Sequence, residues 1–265
     1  MEQAIQPKQL MTLEQAEKIE RWQQEEVLLL ARHFQRLNET KGRPFSGYYT
    51  RANYFQMDAV DVAILNSLKD DGKTIQRIKT HMALEVEDKK NFTFVPIIEV
   101  DLEDTINNLF FTLIPKYKEP VEPIQNGTIG DLDTGGVLVP GIFKEMILTN
   151  WNNLEDNLID DLFVAVDTKT RQRERVNYYL IDNIDIIDLI NDSLLGEIEE
   201  FILYPGVDMN KFHKRDMISF TPVIGITPVG EVITEILSRH ALLEFTDEEI
   251  FIEYSSPCPP TCPEA

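Results

Sequence analysis

The sequence predicts a protein of the α/β class, α+β in type, built from two tandem helix–loop–helix–β-hairpin repeats that form a pseudo-twofold scaffold. Three observations predict it. "RANYFQMDAVDVAIL" (Arg51–Leu65) returns as "RVNYYLIDNIDIIDL" (Arg175–Leu189). "FTFVPIIEV" (Phe92–Val100) returns as "ISFTPVIGI" (Ile218–Ile226), with Pro96 opposite Pro222. The chain has two tryptophans, Trp22 and Trp151, and each lies in an amphipathic stretch upstream of one copy. Two units are too few for a solenoid, so a mutually packed pair is expected.

Within each copy the elements follow in the same order. Thr12 with Gln15 three residues later reads as a capping box. The apolar stripe Ile19, Trp22, Leu30, Phe34, Leu37 then predicts a helix, as does Ile147, Trp151, Leu154, Leu158, Leu162 in the second copy. Polar loops follow, "NETKGRPFSGYYTR" and "DTKTRQRER". Second helices are expected near 59–69 and 183–195, with Gly72 and Gly196 where they stop. Asp58 and Asp182 are the expected N-caps, because a short side-chain oxygen there accepts a backbone N–H. Asp61 and Asp185 fall at N3, and Met57 with Val62 and Ile181 with Ile186 form hydrophobic staples. Strands are expected over 74–86 paired with 92–100, and over 198–204 paired with 218–226. Pro96 and Pro222 cannot donate to a ladder and are expected at an edge or bulge. The chain therefore divides into unit 1 (1–114), a linker or long loop (115–141), unit 2 (142–256) and a flexible Cys/Pro tail (257–265). Glu231–Leu243 reads as a short helix and Ile250–Tyr254 as a short strand.

Composition narrows the function. The chain has 265 residues, 43% of them hydrophobic, enough to bury a core. Its net charge of −21 argues against nucleic acid as a partner, since phosphate binding needs a basic face. No apolar run approaches the roughly 18 residues that predict a membrane span, and no secretory signal is read at the start. The two cysteines, Cys258 and Cys262, lie near the end of the chain, which suggests a reducing, cytoplasmic setting and leaves their pairing open. Asp131-x-Asp133-Thr-Gly135 resembles the opening of a calcium loop. Its twelfth position is Ile142, so an ordinary turn is expected. No zinc, nucleotide or hydrolase motif occurs, so neither a cofactor nor a metal is expected.

The remaining candidates are basic. Arg51 and Arg175 precede the two second helices by equal distances. They suit carbonyls or a carboxylate at the interface of the copies, or an anion or peptide pocket. "KTRQRER" and "YPGVDMNKFHKRD" occur in the second copy alone and put Arg171, Arg173, Lys214 and Arg215 into its loops. In so acidic a chain they would attract an acidic group. The expected function is a non-enzymatic scaffold that binds another protein. The alternative is a sensor or enzyme for a small anion held between the repeats.

The ending "SSPCPPTCPEA" resembles the tails of small uncharacterised bacterial proteins that finish in Pro-Cys-Pro-Pro-x-Cys. In these a helix is followed by a strand of the type Gly-Ile-Arg-Ile-Tyr and a second strand ending in a Val-Pro-like turn. Ile75-Gln76-Arg77-Ile78 and Val95-Pro96 are similar. The second copy departs from the pattern, since Glu199-Glu200-Phe201-Ile202 has no arginine. The resemblance implies no activity; a two-unit chain would be a fused version.

Overall fold

The computed structural model describes residues 11–41, 43–86, 88, 90–103, 108–118, 136–229, 249–253, 256–259 and 262. The expected turn at Asp131–Gly135 and helix at Glu231–Leu243 lie outside these residues. The fold is α+β, with antiparallel sheets and short helices.

Helix α1 (Leu13–Gln24) starts at the expected capping box, with Thr12 and Gln15 bonding each other's backbone N–H. It then stops, and Val27–Phe34 continue as a 3-10 helix. The stripe expected to be one helix is thus broken, because Glu25 is extended. Strands β1 (Gln35–Thr40) and β2 (Arg43–Arg51) form a separate ribbon where a polar loop was expected. Strand β3 (Tyr54–Gln56), helix α2 (Ala59–Asp70), β4 (Ile75–His81), β5 (Ile97–Leu102), β6 (Leu109–Thr112) and β7 (Ile114–Lys116) complete the N-terminal half.

The C-terminal half runs β8 (Val137–Val139), α3 (Gly141–Asn153), α4 (Asp156–Ile159), a 3-10 turn (Asp160–Phe163), β9 (Val164–Val166) and β10 (Arg173–Arg175). Then come β11 (Tyr178–Ile181), α5 (Ile184–Leu189) with a π turn (Ile190–Leu194), β12 (Ile198–Tyr204), α6 (Met209–Phe212), β13 (Val223–Pro228), β14 (Ile250–Glu253) and β15 (Ser256–Cys258). β9 and β10 again make a two-stranded ribbon in place of a loop. The start of the Cys/Pro tail is not free: β15 pairs with β11, and Asn177 N–H donates to Cys258 O at 2.8 Å. Among the described residues no helix is long and apolar enough to cross a membrane.

Two larger sheets organise the molecule, in the orders β15-β11-β4-β5-β6 and β7-β3-β12-β13-β14-β8. Each mixes the halves. β11 of the C-terminal half pairs with β4, and β3 of the N-terminal half pairs with β12. The expected hairpins are present, with β4 on β5 and β12 on β13, extended by the bridges Leu84–Phe94 and Val207–Phe220. Pro96 and Pro222 each stand just before a strand, outside the ladder. Asn66 on α2 bonds both N–H and C=O of Ile198, and Asn191 does the same to Ile75. Each amide side chain thus fastens a helix to the hairpin of the other half.

One core joins the two sheets. At its centre are six buried rings, Trp22, Phe34, Phe94, Trp151, Phe163 and Phe220. Phe34 and Phe163 stack with centroids 5.4 Å apart and planes 2° from parallel. Trp22 meets Phe163 edge-on at 5.2 Å, and Trp151 meets Phe34 edge-on at 5.1 Å. Edge-to-face contacts suit the aromatic quadrupole and add to the apolar area that each ring buries.

Asp58 caps α2 as expected, accepting from Val60 N–H and Asp61 N–H, with Met57 and Val62 buried. Gly72, with φ +62°, ends the helix in a Schellman turn: its N–H reaches Lys69 O, and Lys73 N–H reaches Leu68 O. At α5 the expectation is corrected. The cap is Asn183, which accepts from Asp185 N–H at 3.0 Å, while Asp182 is exposed one residue earlier. Asn is as good a cap as Asp, so spacing alone could not choose between them. Replacing Asp58 or Asn183 by alanine should each cost about 0.5–2 kcal/mol in urea denaturation. Asp182→Ala should stay within about 0.5 kcal/mol, and a larger cost would return the cap to Asp182.

Candidate functional site

A helix leaves its last carbonyls without intrahelical partners. Arg51 and Arg175 supply them, each to the other half. Arg51 donates to Trp151 O, to Leu154 O at 2.8 Å and to Asp156 Oδ1 at 2.5 Å, at the end of α3. Arg175 donates to Trp22 O at 2.6 Å and Glu25 O at 2.5 Å, at the end of α1. Each guanidinium also lies over the indole of the tryptophan it caps, 5.4 Å from the Trp151 ring and 5.8 Å from the Trp22 ring. The indoles reach back: Trp151 Nε1 donates to Ala52 O at 2.9 Å, and Trp22 Nε1 to Val176 O at 2.8 Å. Burial works against the Arg175 charge, and the nearby Glu25 and Asp160 carboxylates oppose that effect.

The other basic candidates are exposed and lie together. Asp167 Oδ1 accepts from Lys169 N–H and Thr170 N–H, which shapes the turn between β9 and β10 and holds the Asp167 carboxyl below its ordinary pKa. Arg171 closes that turn with φ +60°, and Arg173 stands opposite Val166 in the ribbon. On its other edge Val166 N–H donates to Arg215 O at 2.8 Å. The segment carrying Lys214 and Arg215 therefore runs beside the hairpin that carries Arg171 and Arg173. With two strand spacings between them, the Arg173 and Arg215 backbones are about 10 Å apart.

A third cluster was missed in the sequence. Paired residues in a sheet share a face, so Arg77, Lys79 and His81 of β4 stand beside Asp101 and Glu99 of β5 on the face away from the core. His81 Nε2 meets Glu99 Oε2 at 2.5 Å, and Lys79 Nζ meets Glu99 Oε1 at 3.1 Å. Arg77 Nε reaches Asp101 Oδ2 at 2.8 Å. Asn108 Nδ2 bridges both carboxylates, at 2.5 Å and 2.6 Å. Burial alone would raise the Glu99 pKa, but His81, Asn108 and Lys79 outweigh it and hold the carboxyl well below its usual range. Asp101 is shifted the other way, upward, by burial and by the neighbouring Glu99. The readable signal was a charge at every second residue of two facing strands, "RIKTH" and "EVD".

Between α5 and the start of β4 lies a groove of about 460 Å³, where Arg77 faces Glu103, Asp182 and Asp188. Its excess of carboxylates does not favour an anion, and Arg51 and Arg175 are not among its walls. No group of three or more His, Cys, Asp or Glu side chains placed to hold a metal occurs among the described residues.

No protein-family model, curated protein or solved structure matches the chain. The resemblance of the tail therefore identifies no family. Structurally, Cys258 and Cys262 form a disulfide with Cα atoms 4.6 Å apart.

The Glu99 network fixes the sign of an acid response. A carboxylate whose folded pKa is depressed stabilises the fold above its unfolded value, near 4.3, and that contribution is lost as pH falls. Asp101, with a raised folded pKa, acts in the opposite sense. Glu99 is the carboxylate that His81, Lys79 and Asn108 all reach, and its contribution is the one tested. At pH 7 Glu99→Gln should cost about 1.5–3 kcal/mol, as expected for bonds to a charged group. The gap to the wild type, measured by urea denaturation, should narrow between pH 5 and pH 3, by about 1 kcal/mol or more. A constant gap would mean that Glu99 is not held ionised by its neighbours.

Proposed function

We propose that the chain is two fused copies of one α+β unit, closed on each other about a local twofold axis, and that it serves as a non-enzymatic scaffold for a partner protein bearing acidic groups. The reciprocity of the contacts supports the two-copy reading. Arg51 and Arg175 bond carbonyls three residues apart on opposite halves. Ala52 N–H bonds Phe34 O, as Val176 N–H bonds Phe163 O. Leu84 N–H bonds Lys18 O, as Val207 N–H bonds Ile147 O. The arginine bonds join the two halves, and the other two pairs repeat within each half.

What the copies do not share is left for function. The observation that carries the proposal is the Val166–Arg215 bond, which aligns the two basic loops of the second copy on one surface. In a chain of charge −21 that surface is the place where an acidic peptide gains most. The donors of Arg51 and Arg175 are occupied by carbonyls, which disfavours an anion site between the copies. The reading places the protein in the cytoplasm, where the Cys258–Cys262 bridge would exchange with the thiol pool.

The test is fluorescence anisotropy with a labelled decaglutamate peptide at low salt. Reversing Arg171, Arg173, Lys214 and Arg215 to glutamate should weaken binding by about tenfold or more, while reversing the four exposed lysines Lys41, Lys73, Lys116 and Lys118 should alter it by less than about twofold. Both variants should fold as the wild type, since exposed substitutions change stability by about 0.5 kcal/mol or less. Equal loss in the two variants would show that overall charge, and not this surface, governs binding.

A further inference from the structure

Two short strands lie at matching places in the larger sheets. β7 pairs with β3 and sets Pro115 opposite Phe55, while β15 pairs with β11 and sets Pro257 opposite Tyr179. One backbone bond ties down each strand. Asn53 N–H donates to Lys116 O at 3.2 Å, and Asn177 N–H donates to Cys258 O at 2.8 Å. Beyond these bonds the halves differ. Past β7 the Asn53 side chain holds both backbone groups of Lys118, whose N–H donates to Asn53 Oδ1 at 3.0 Å while Asn53 Nδ2 donates to Lys118 O at 2.5 Å. Two residues past Cys258 the sequence has Pro260, which carries no N–H. Among the described residues the Asn177 side chain makes no hydrogen bond. The chain is closed there by the Cys258–Cys262 bridge. A covalent bond thus stands where the first half has an amide clamp, and a disulfide, unlike that clamp, can be opened by a thiol.

We propose that this bridge is a thiol-exchange site, entered at Cys262 by a small monothiol of the glutathione kind, and that its opening loosens β15 from β11. The inference rests on the two-copy reading, which supplies the comparison with Asn53 and Lys118. The two sulfurs are not equivalent: Cys258 is 5% exposed on β15, whereas Cys262 is exposed. A thiolate approaches one sulfur in line with the bond to the other, so access selects the sulfur attacked, and exposed bridges are the exchange-prone ones. The incoming thiolate bonds Cys262 Sγ and the S–S bond breaks. Its electron pair leaves on Cys258 Sγ, which takes a proton from water. A second thiolate attacks the outer sulfur of the mixed disulfide, releasing the oxidised small disulfide and leaving Cys262 as a thiolate. Two electrons have then passed from two small thiols to the bridge. With the bridge open, the chain past Cys258 regains conformational freedom, which favours release of a strand only three residues long.

The test uses the full-length protein and reduced glutathione. At limiting glutathione, acid quenching and peptide mass mapping should place the mixed disulfide at Cys262 in about tenfold or greater excess over Cys258. After full reduction, hydrogen exchange at the Asn177 amide should quicken by about fivefold or more, while its counterpart at Asn53 should change by less than about twofold. A variant carrying both Cys258→Ser and Cys262→Ser should show the fast Asn177 exchange from the start and should not respond to glutathione. A mixed disulfide chiefly at Cys258, a bridge that survives excess glutathione, or unchanged Asn177 exchange after reduction overturns the proposal. The mapping is done on the wild type, so it holds even if the serine variant misfolds. None of these outcomes touches the two-copy reading, which stands or falls on superposing the halves in an experimental structure.

Discussion

The two helices that open the halves, α1 and α3, end before their apolar stripes do, and an α-helix that ends leaves carbonyls to be satisfied. Here the donors come from the opposite half, as the guanidinium groups of Arg51 and Arg175. That arrangement settles much else. Arg51 and Arg175 end β2 and β10, and the strands that follow them, β3 and β11, cross to the sheets of β12 and β4. Once the strands are exchanged, each sheet contains both halves. The indole N–H groups close the circuit by bonding the carbonyls next to the arginines, Ala52 O and Val176 O. A buried charge without such partners would cost several kcal/mol, so the clamps and the strand exchange depend on each other.

Packing follows the same geometry. On the two-copy reading the stacked Phe34 and Phe163 mark the local axis, because each is the other's counterpart, and the tryptophans stand edge-on to them at nearly equal distances. The centre of the molecule is therefore an interface as well as a core, while a small satellite cluster lies within each half, around Ala83, Ile97 and Phe110 in one and Val139, Phe143 and Phe251 in the other. The Glu99 network lies outside this symmetry. Where the first half has Lys79, His81 and Glu99, the second has Ile202, Tyr204 and Gly225, so the fold tolerates either chemistry on that face.

Local physics was legible in the sequence. The capping box at Thr12, the Asp58 cap with its staple, the Gly72 stop and both hairpins rest on interactions between residues a few positions apart. Arg51 and Arg175 bond carbonyls of the opposite half, one of the alternatives that their place in the sequence left open. What could not be read was the choice of partner. Nothing local says that β11 prefers β4 over its own half, nor that the polar stretches after the first helices would pair as ribbons. Asp182 and Asn183 are adjacent and equally able to cap, so backbone geometry decided between them. The Glu99 cluster needed the register of β4 on β5, which alternation of charge hints at but does not fix.

The central claim is that the clamps make one cooperative unit of both halves. Native-state hydrogen exchange of an Arg175→Met variant tests it most directly. The account predicts that amides of β4 and β5 in one half and of β12 and β13 in the other lose protection together, by a common factor of about tenfold or more, because every larger sheet opens when one clamp is lost. If β12 and β13 keep their wild-type protection while β4 and β5 open, the halves are independent domains and the clamp does not join them.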